Sequence, residues 1–123
     1  MALAADEARP SLLHIDIARP DEHTVVVTPA GEADICTVAD LRRALCDAIG
    51  MDSPHVIVDL DRLSFMDAST LGVLVEAHRR ASAMGRTLRV RCRTRQFRRL
   101  LTMTRLDGML DPSGADPLAP SSS

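Results

Sequence analysis

Apolar positions along the chain switch repeatedly between the two-residue period of a strand and the 3.6-residue period of a helix. Leu13, Ile15 and Ile17 alternate with His14 and Asp16, predicting a half-buried strand, and Pro20-Asp21-Glu22 marks a turn. Residues 25–28 predict a second strand, antiparallel to the first across that short connection. Thr37, with Asp40 three residues on, reads as a capping box opening a helix. Val38, Leu41, Leu45, Ala48 and Ile49 form its apolar stripe and Gly50 its stop.

Residues 56–60, VIVDL, are mostly β-branched without clean alternation, predicting a central strand covered on both faces. Residues 61–66 read as a connector, and Asp67 as the N-cap of a second helix. That helix buries Leu71, Leu74, Val75, His78 and Ala81 and ends at Gly85. Its first turn brings Ser69 and Thr70 near the surface. Leu88, Val90 and Cys92 alternate with Arg89, Arg91 and Arg93 in a further strand. Thr94 is placed to cap a third helix carrying Phe97, Leu100, Leu101 and Thr104 on one side, and residues 106–110 form a weak last strand. Residues 1–10 read as a flexible leader, 11–110 as a single domain, and 111–123, DPSGADPLAPSSS, as a disordered tail. Strands alternating with about three helices predict an α/β domain: a mixed sheet with an antiparallel N-terminal hairpin and parallel central strands.

The segment LSFMDASTLGVL, residues 63–74, resembles the signature of STAS domains, specifically the anti-sigma factor antagonists of bacteria. The family pattern runs roughly Leu-x-Phe-Met-Asp-Ser-Ser/Thr-Gly-Leu-Gly-Val-Leu. Leu63, Phe65, Met66, Asp67, Ser69, Leu71, Gly72, Val73 and Leu74 match it, whereas Ala68 and Thr70 depart. Gly31-Glu32-Ala33-Asp34 resembles the Gly-Glu-Leu-Asp that ends the family's second strand, with Ala33 for Leu. The likeness covers residues 11–110 and implies a STAS fold with a shortened C-terminus. It also implies a non-enzymatic binding protein that captures a serine-kinase anti-sigma factor, releases the sigma factor, and is switched off by phosphorylation.

The family's usual phosphoacceptor follows the Asp directly, and here that position is Ala68. Ser69 is therefore the candidate acceptor and Thr70 the second choice, since a phosphate of charge about −1.5 to −2 at a helix N-terminus would change docking. The rival is an antagonist that is never phosphorylated. The resemblance places the partner-binding face on Glu32, Asp34, Cys36 and Thr37 together with Met66, Asp67, Ala68, Ser69, Thr70 and Leu71. The two departures also leave open a STAS scaffold subunit that does not act on a sigma factor.

Composition narrows the rest. Lys+Arg 15 against Asp+Glu 17 gives no general attraction to nucleic acid or anionic membrane. Every basic residue is Arg, and eight of them (86, 89, 91, 93, 95, 98, 99 and 105) make the C-terminal third basic. Their simplest account is a solvated face; the sharper ones are an acidic protein or, remotely, nucleic acid, for which the aromatic stacking residues are missing. Three cysteines, Cys36, Cys46 and Cys92, form no CxxC and suit a reducing cytosol. The four histidines show no ligand spacing, and no P-loop, GxGxxG, GxSxG or HExxH occurs. Neither catalysis, metal nor cofactor is expected. No signal peptide and no run near the ~20 apolar residues of a membrane span is seen, so a cytoplasmic protein is expected.

Overall fold

The computed structural model describes residues 12–109. Elements run β1 (Leu13–Asp21), β2 (Thr24–Ala33), α1 (Val38–Gly50), β3 (His55–Asp59), β4 (Leu63–Met66), α2 (Ala68–Ala83), β5 (Thr87–Arg91) and α3 (Arg95–Met103). A 3-10 turn, Asp107–Met109, follows. The sheet order is β1-β2-β3-β5, with β1 antiparallel to β2 and every other pairing parallel. The mixed sheet, antiparallel hairpin and three helices match the architecture expected from the hydrophobic pattern.

Each crossover, β2-α1-β3 and β3-α2-β5, steps the same way along the sheet. Right-handed connections therefore put both helices on one face. The core records this: Val25, Val27, Val56, Val58, Leu88 and Val90 are fully buried together with Leu41, Leu45, Leu74 and Leu101. Fully burying each such side chain contributes about 1.5–3 kcal/mol. The expectation that the central strand is covered on both faces is thus corrected. Ile57 and Asp59 alternate with Val56 and Val58 and are only half-buried, because no helix among the described residues lies on their side.

A second correction concerns residues 61–66. The last four form β4, which pairs with Gly31, Glu32 and Ala33 at the far end of β2 after β3 has paired with residues 24–27. β3 and β4 thus lie against one neighbour in succession, and residues 60–62 step out of line between them. Proline 29 falls in the interval between these pairings, where its missing N–H is tolerated.

Local signals differ in smaller ways. Pro20 is inside β1, beside a register shift, and the turn is Glu22-His23. Thr37 makes no side-chain cap; Asp34 accepts instead from the N–H groups of Cys36 (2.9 Å) and Thr37 (3.1 Å), because its carboxylate reaches both. Thr94 likewise makes no side-chain cap. On α2 the buried stripe is rotated: Val73 and Ala77 are buried, whereas Val75 and His78 are half-buried, since the helix leans on α1 as well as on the sheet. The weak strand expected at 106–110 is a 3-10 turn as far as Met109, and Leu110 lies outside the described residues. The leader at 1–10 and the tail at 111–123 also lie outside them.

Gly31 is required by its surroundings. Its φ is +111°, and a Cβ there would collide with the carbonyl oxygen of Leu12. That close approach lets Glu32 N–H bond Leu12 O at 2.8 Å and aims the end of β2 at the following loop.

Candidate functional site

The C-terminal end of β2 and the start of α2 meet at one carbonyl. Ala33 O accepts the Asp67 N–H at 3.3 Å and the Thr70 hydroxyl at 2.9 Å. The two stretches assigned to a common face from sequence, residues 32–37 and 66–71, are therefore stitched together by the backbone of one and the helix cap of the other.

Asp67 is the N-cap of α2, with extended backbone and a carboxylate that accepts from Ser69 N (3.0 Å) and Thr70 N (3.3 Å). Ser69 also donates its hydroxyl to the same oxygen at 2.5 Å. This hydroxyl holds the Asp67 carboxyl below its ordinary value; partial burial opposes it, and the N–H groups of Thr70, Ser69 and Ile35 add to the lowering. A carboxylate fixed by so many donors stays ionised at neutral pH and holds the first turn rigidly.

Opposite, Asp34 and Thr37 close their own turn. Thr37 Oγ1 accepts from Asp34 N at 3.0 Å and donates to Glu32 O at 2.9 Å. Glu32 sits in register with Phe65 on β4.

The face assigned from sequence separates into two layers. Cys36 and Ala68 are exposed, and Glu32, Asp34, Thr37, Asp67 and Ser69 are half-buried. Met66, Thr70 and Leu71 are buried and support the surface from beneath. The expectation that the Thr70 hydroxyl lies near the surface is corrected: Thr70 is 0% exposed, because its hydroxyl turns inward to Ala33 O. One surface residue, Phe65, 47% exposed, was missed. Ile35, 72% exposed, lay within the assigned stretch 32–37 without being singled out, and both are large apolar side chains flanking the Asp67 turn. Their signal in the sequence was an apolar residue between Asp34 and Cys36, and a Phe alternating with buried Leu63 in a strand too short to recognise.

Among the described residues no cluster of three or more His, Cys, Asp or Glu could hold a metal ion. Among them too, no helix is long and apolar enough to cross a membrane. What the site presents is a turn fixed by hydrogen bonds, with an anionic carboxylate, a half-buried hydroxyl and flanking exposed apolar groups.

The family profile described as "Mlab, STAS domain" matches residues 17–111, most of the chain. This chain belongs to the STAS domain family. An anti-sigma factor antagonist from Mycobacterium paratuberculosis superposes with a TM-score of 0.74 at 22% identity, over 85% of this chain and 86% of that one. The anti-sigma factor antagonist SpoIIAA in its unphosphorylated form gives 0.70 at 22% identity, over 85% and 90%. The phosphorylated form of SpoIIAA, the Bacillus cell fate determinant, gives 0.66 at 22%, over 85% and 93%. At these identities the likeness is one of fold.

Proposed function

We propose that this STAS protein is an anti-sigma factor antagonist: it docks a serine-kinase anti-sigma factor through the Asp67 turn and thereby frees the sigma factor. The observation that carries this reading is the shared hydrogen bonding at Ala33 O, which joins residues 32–37 and 66–71 into one preorganised surface. The fold likeness to antagonists supports the partner class.

Ser69 is the proposed switch. Thr70 is the weaker acceptor, since its hydroxyl is buried and engaged. Transfer of the γ-phosphoryl group of ATP to Ser69 Oγ would release ADP and the hydroxyl proton. The oxygen would then no longer donate to Asp67, and a group of charge about −1.5 to −2 would face a carboxylate across the helix cap. Both the lost bond and the repulsion would deform the turn, and the surface would cease to fit its partner.

A second reading has its own support. Ala68, which has no hydroxyl, occupies the exposed position where the family's usual acceptor stands. On that reading the same face holds a different protein and no phosphate is involved.

Native co-purification of the tagged protein, with mass spectrometry of what it retains, separates the two. A small ATP-binding serine kinase is expected, and phosphopeptide mapping after incubation with it and ATP should label Ser69. Scaffold or transporter subunits in its place would favour the second reading, and an unlabelled 67–72 segment would remove the switch. Asp67→Lys should retain the fold and weaken capture of the partner at least tenfold; undiminished capture by a folded variant would show that the face is wrongly assigned.

A further inference from the structure

Between Arg86 and Leu106 the chain carries eight arginines and not one Asp or Glu. Four of them, Arg93, Arg95, Arg98 and Arg99, converge with Thr102 around an open recess of about 450 Å³ at the start of α3. Among the described residues none of these four makes an ion pair, whereas Arg42, Arg86 and Arg91 all do. Arg98 is held in place by donating to Cys92 O at 3.0 Å.

Local energetics oppose this arrangement. The N-terminus of a helix is its positive end, where a nearby cation is unfavourable. Yet α3 opens with Arg95, has no acid in its first turn, and gains no side-chain cap from Thr94. A segment that violates its own helix electrostatics, with no ion pair to these four arginines among the described residues, marks a surface whose compensation comes from outside.

We propose that this recess is a docking point for an acidic segment of a protein partner, with clustered carboxylates meeting the arginine forks. Bidentate guanidinium–carboxylate pairing would neutralise like charges now held together and satisfy the positive helix end. A nucleic-acid strand fits less well. Asp61 accepts the Arg93 N–H at 2.6 Å and Asp59 pairs with Arg91 at 3.9 Å, so a continuous phosphate backbone running on past Arg93 would meet negative charge. No aromatic ring lines the recess for stacking: Phe97 faces the core, and the exposed Phe65 lies at the Asp67 turn. The proposal does not depend on the sigma-factor reading, since the recess lies at the end of β5 and not at the Asp67 turn.

The test is fluorescence anisotropy of labelled deca-glutamate with the full chain at 50 and 200 mM salt, alongside a twelve-nucleotide thymidylate strand and inorganic tripolyphosphate. The peptide should bind, more weakly at the higher salt. Arg95→Glu with Arg99→Glu should reduce its affinity at least tenfold, and the gentler Arg95→Gln with Arg99→Gln several-fold. Circular dichroism confirms the fold of both, and Arg98 is left intact because it also bonds backbone. Asp67→Lys should leave peptide binding unchanged, which separates this surface from the antagonist face. Absence of peptide binding at 50 mM salt, unchanged affinity in both folded double variants, or tighter binding of the thymidylate strand or tripolyphosphate would each overturn the proposal.

Discussion

Two strand-to-helix junctions at the same end of the sheet solve the same problem in opposite ways. At β4–α2, Asp67 accepts from two backbone N–H groups and the Ser69 hydroxyl, and Thr70 ties the helix to Ala33 of β2. At β5–α3, Thr94 makes no side-chain cap, and arginines crowd the positive end of the helix. The first junction turns its polar groups inward and fixes a shape. The second leaves its charge facing solvent. One junction is thus defined by geometry and the other by charge, so variants should affect them differently.

The largest effect should come from the support beneath the first junction. Gly31→Ala places a Cβ against Leu12 O at a φ that side chains rarely adopt. It should lower stability by at least ~2 kcal/mol in urea unfolding. A cost below ~0.5 kcal/mol would mean that the end of β2 is not held as described.

Next come the caps themselves. Asp67→Ala should cost about 1–2 kcal/mol, the usual range for losing an N-cap, whereas Thr94→Ala should stay within ~0.5 kcal/mol. Equal costs would erase the comparison. The charge on Asp67 sharpens it further. Its folded-state pKa lies below the ordinary aspartate value, so its contribution is present above that ordinary value and is lost as pH falls through the folded one. The stability difference between wild type and Asp67→Asn should therefore be present at neutral pH and vanish in strong acid. Ser69→Ala removes the largest cause of the lowering, and an NMR titration should then find the Asp67 carboxyl nearer its ordinary value.

These two junctions were not equally readable from the chain. The stripes of α1 and α3 and the β-branched runs of β2 and β3 declared the architecture, because burying one face imposes a strict period. The Asp67 cap was visible because an acidic residue before an apolar run has few other uses. β4 was not, since four residues pairing with only the end of β2 leave no periodic trace. Which hydroxyl turned inward was equally hidden: Ser69 and Thr70 differ by 100° of helix rotation, and only the position of Ala33 O decides it. The exposure of Ile35 and Phe65 depended on the same unseen strand. The arginine face was legible as alternation along β5, but that Arg93, Arg95, Arg98 and Arg99 make no ion pair among the described residues is a tertiary fact.

Cysteines report on both junctions without altering either. Cys36 is exposed in the loop that faces the Asp67 turn, and Cys92 is buried at the end of β5 with its Sγ 3.6 Å from Thr94 O. Burial, with Asp61 adding to it, pushes the Cys92 thiol up to about 11. At pH 8 that leaves roughly one part in a thousand as the reactive thiolate, even before access is considered. Ellman's reagent should therefore modify Cys36 fast, half-buried Cys46 more slowly, and Cys92 only when the chain unfolds. Cys36→Ser should remove the fast phase and nothing else. Fast reaction of Cys92 in the native protein would mean that the β5–α3 junction opens spontaneously. The arginine recess would then be a mobile edge and not a built surface, and the contrast between a shaped and a charged junction would become one between a rigid and a loose one.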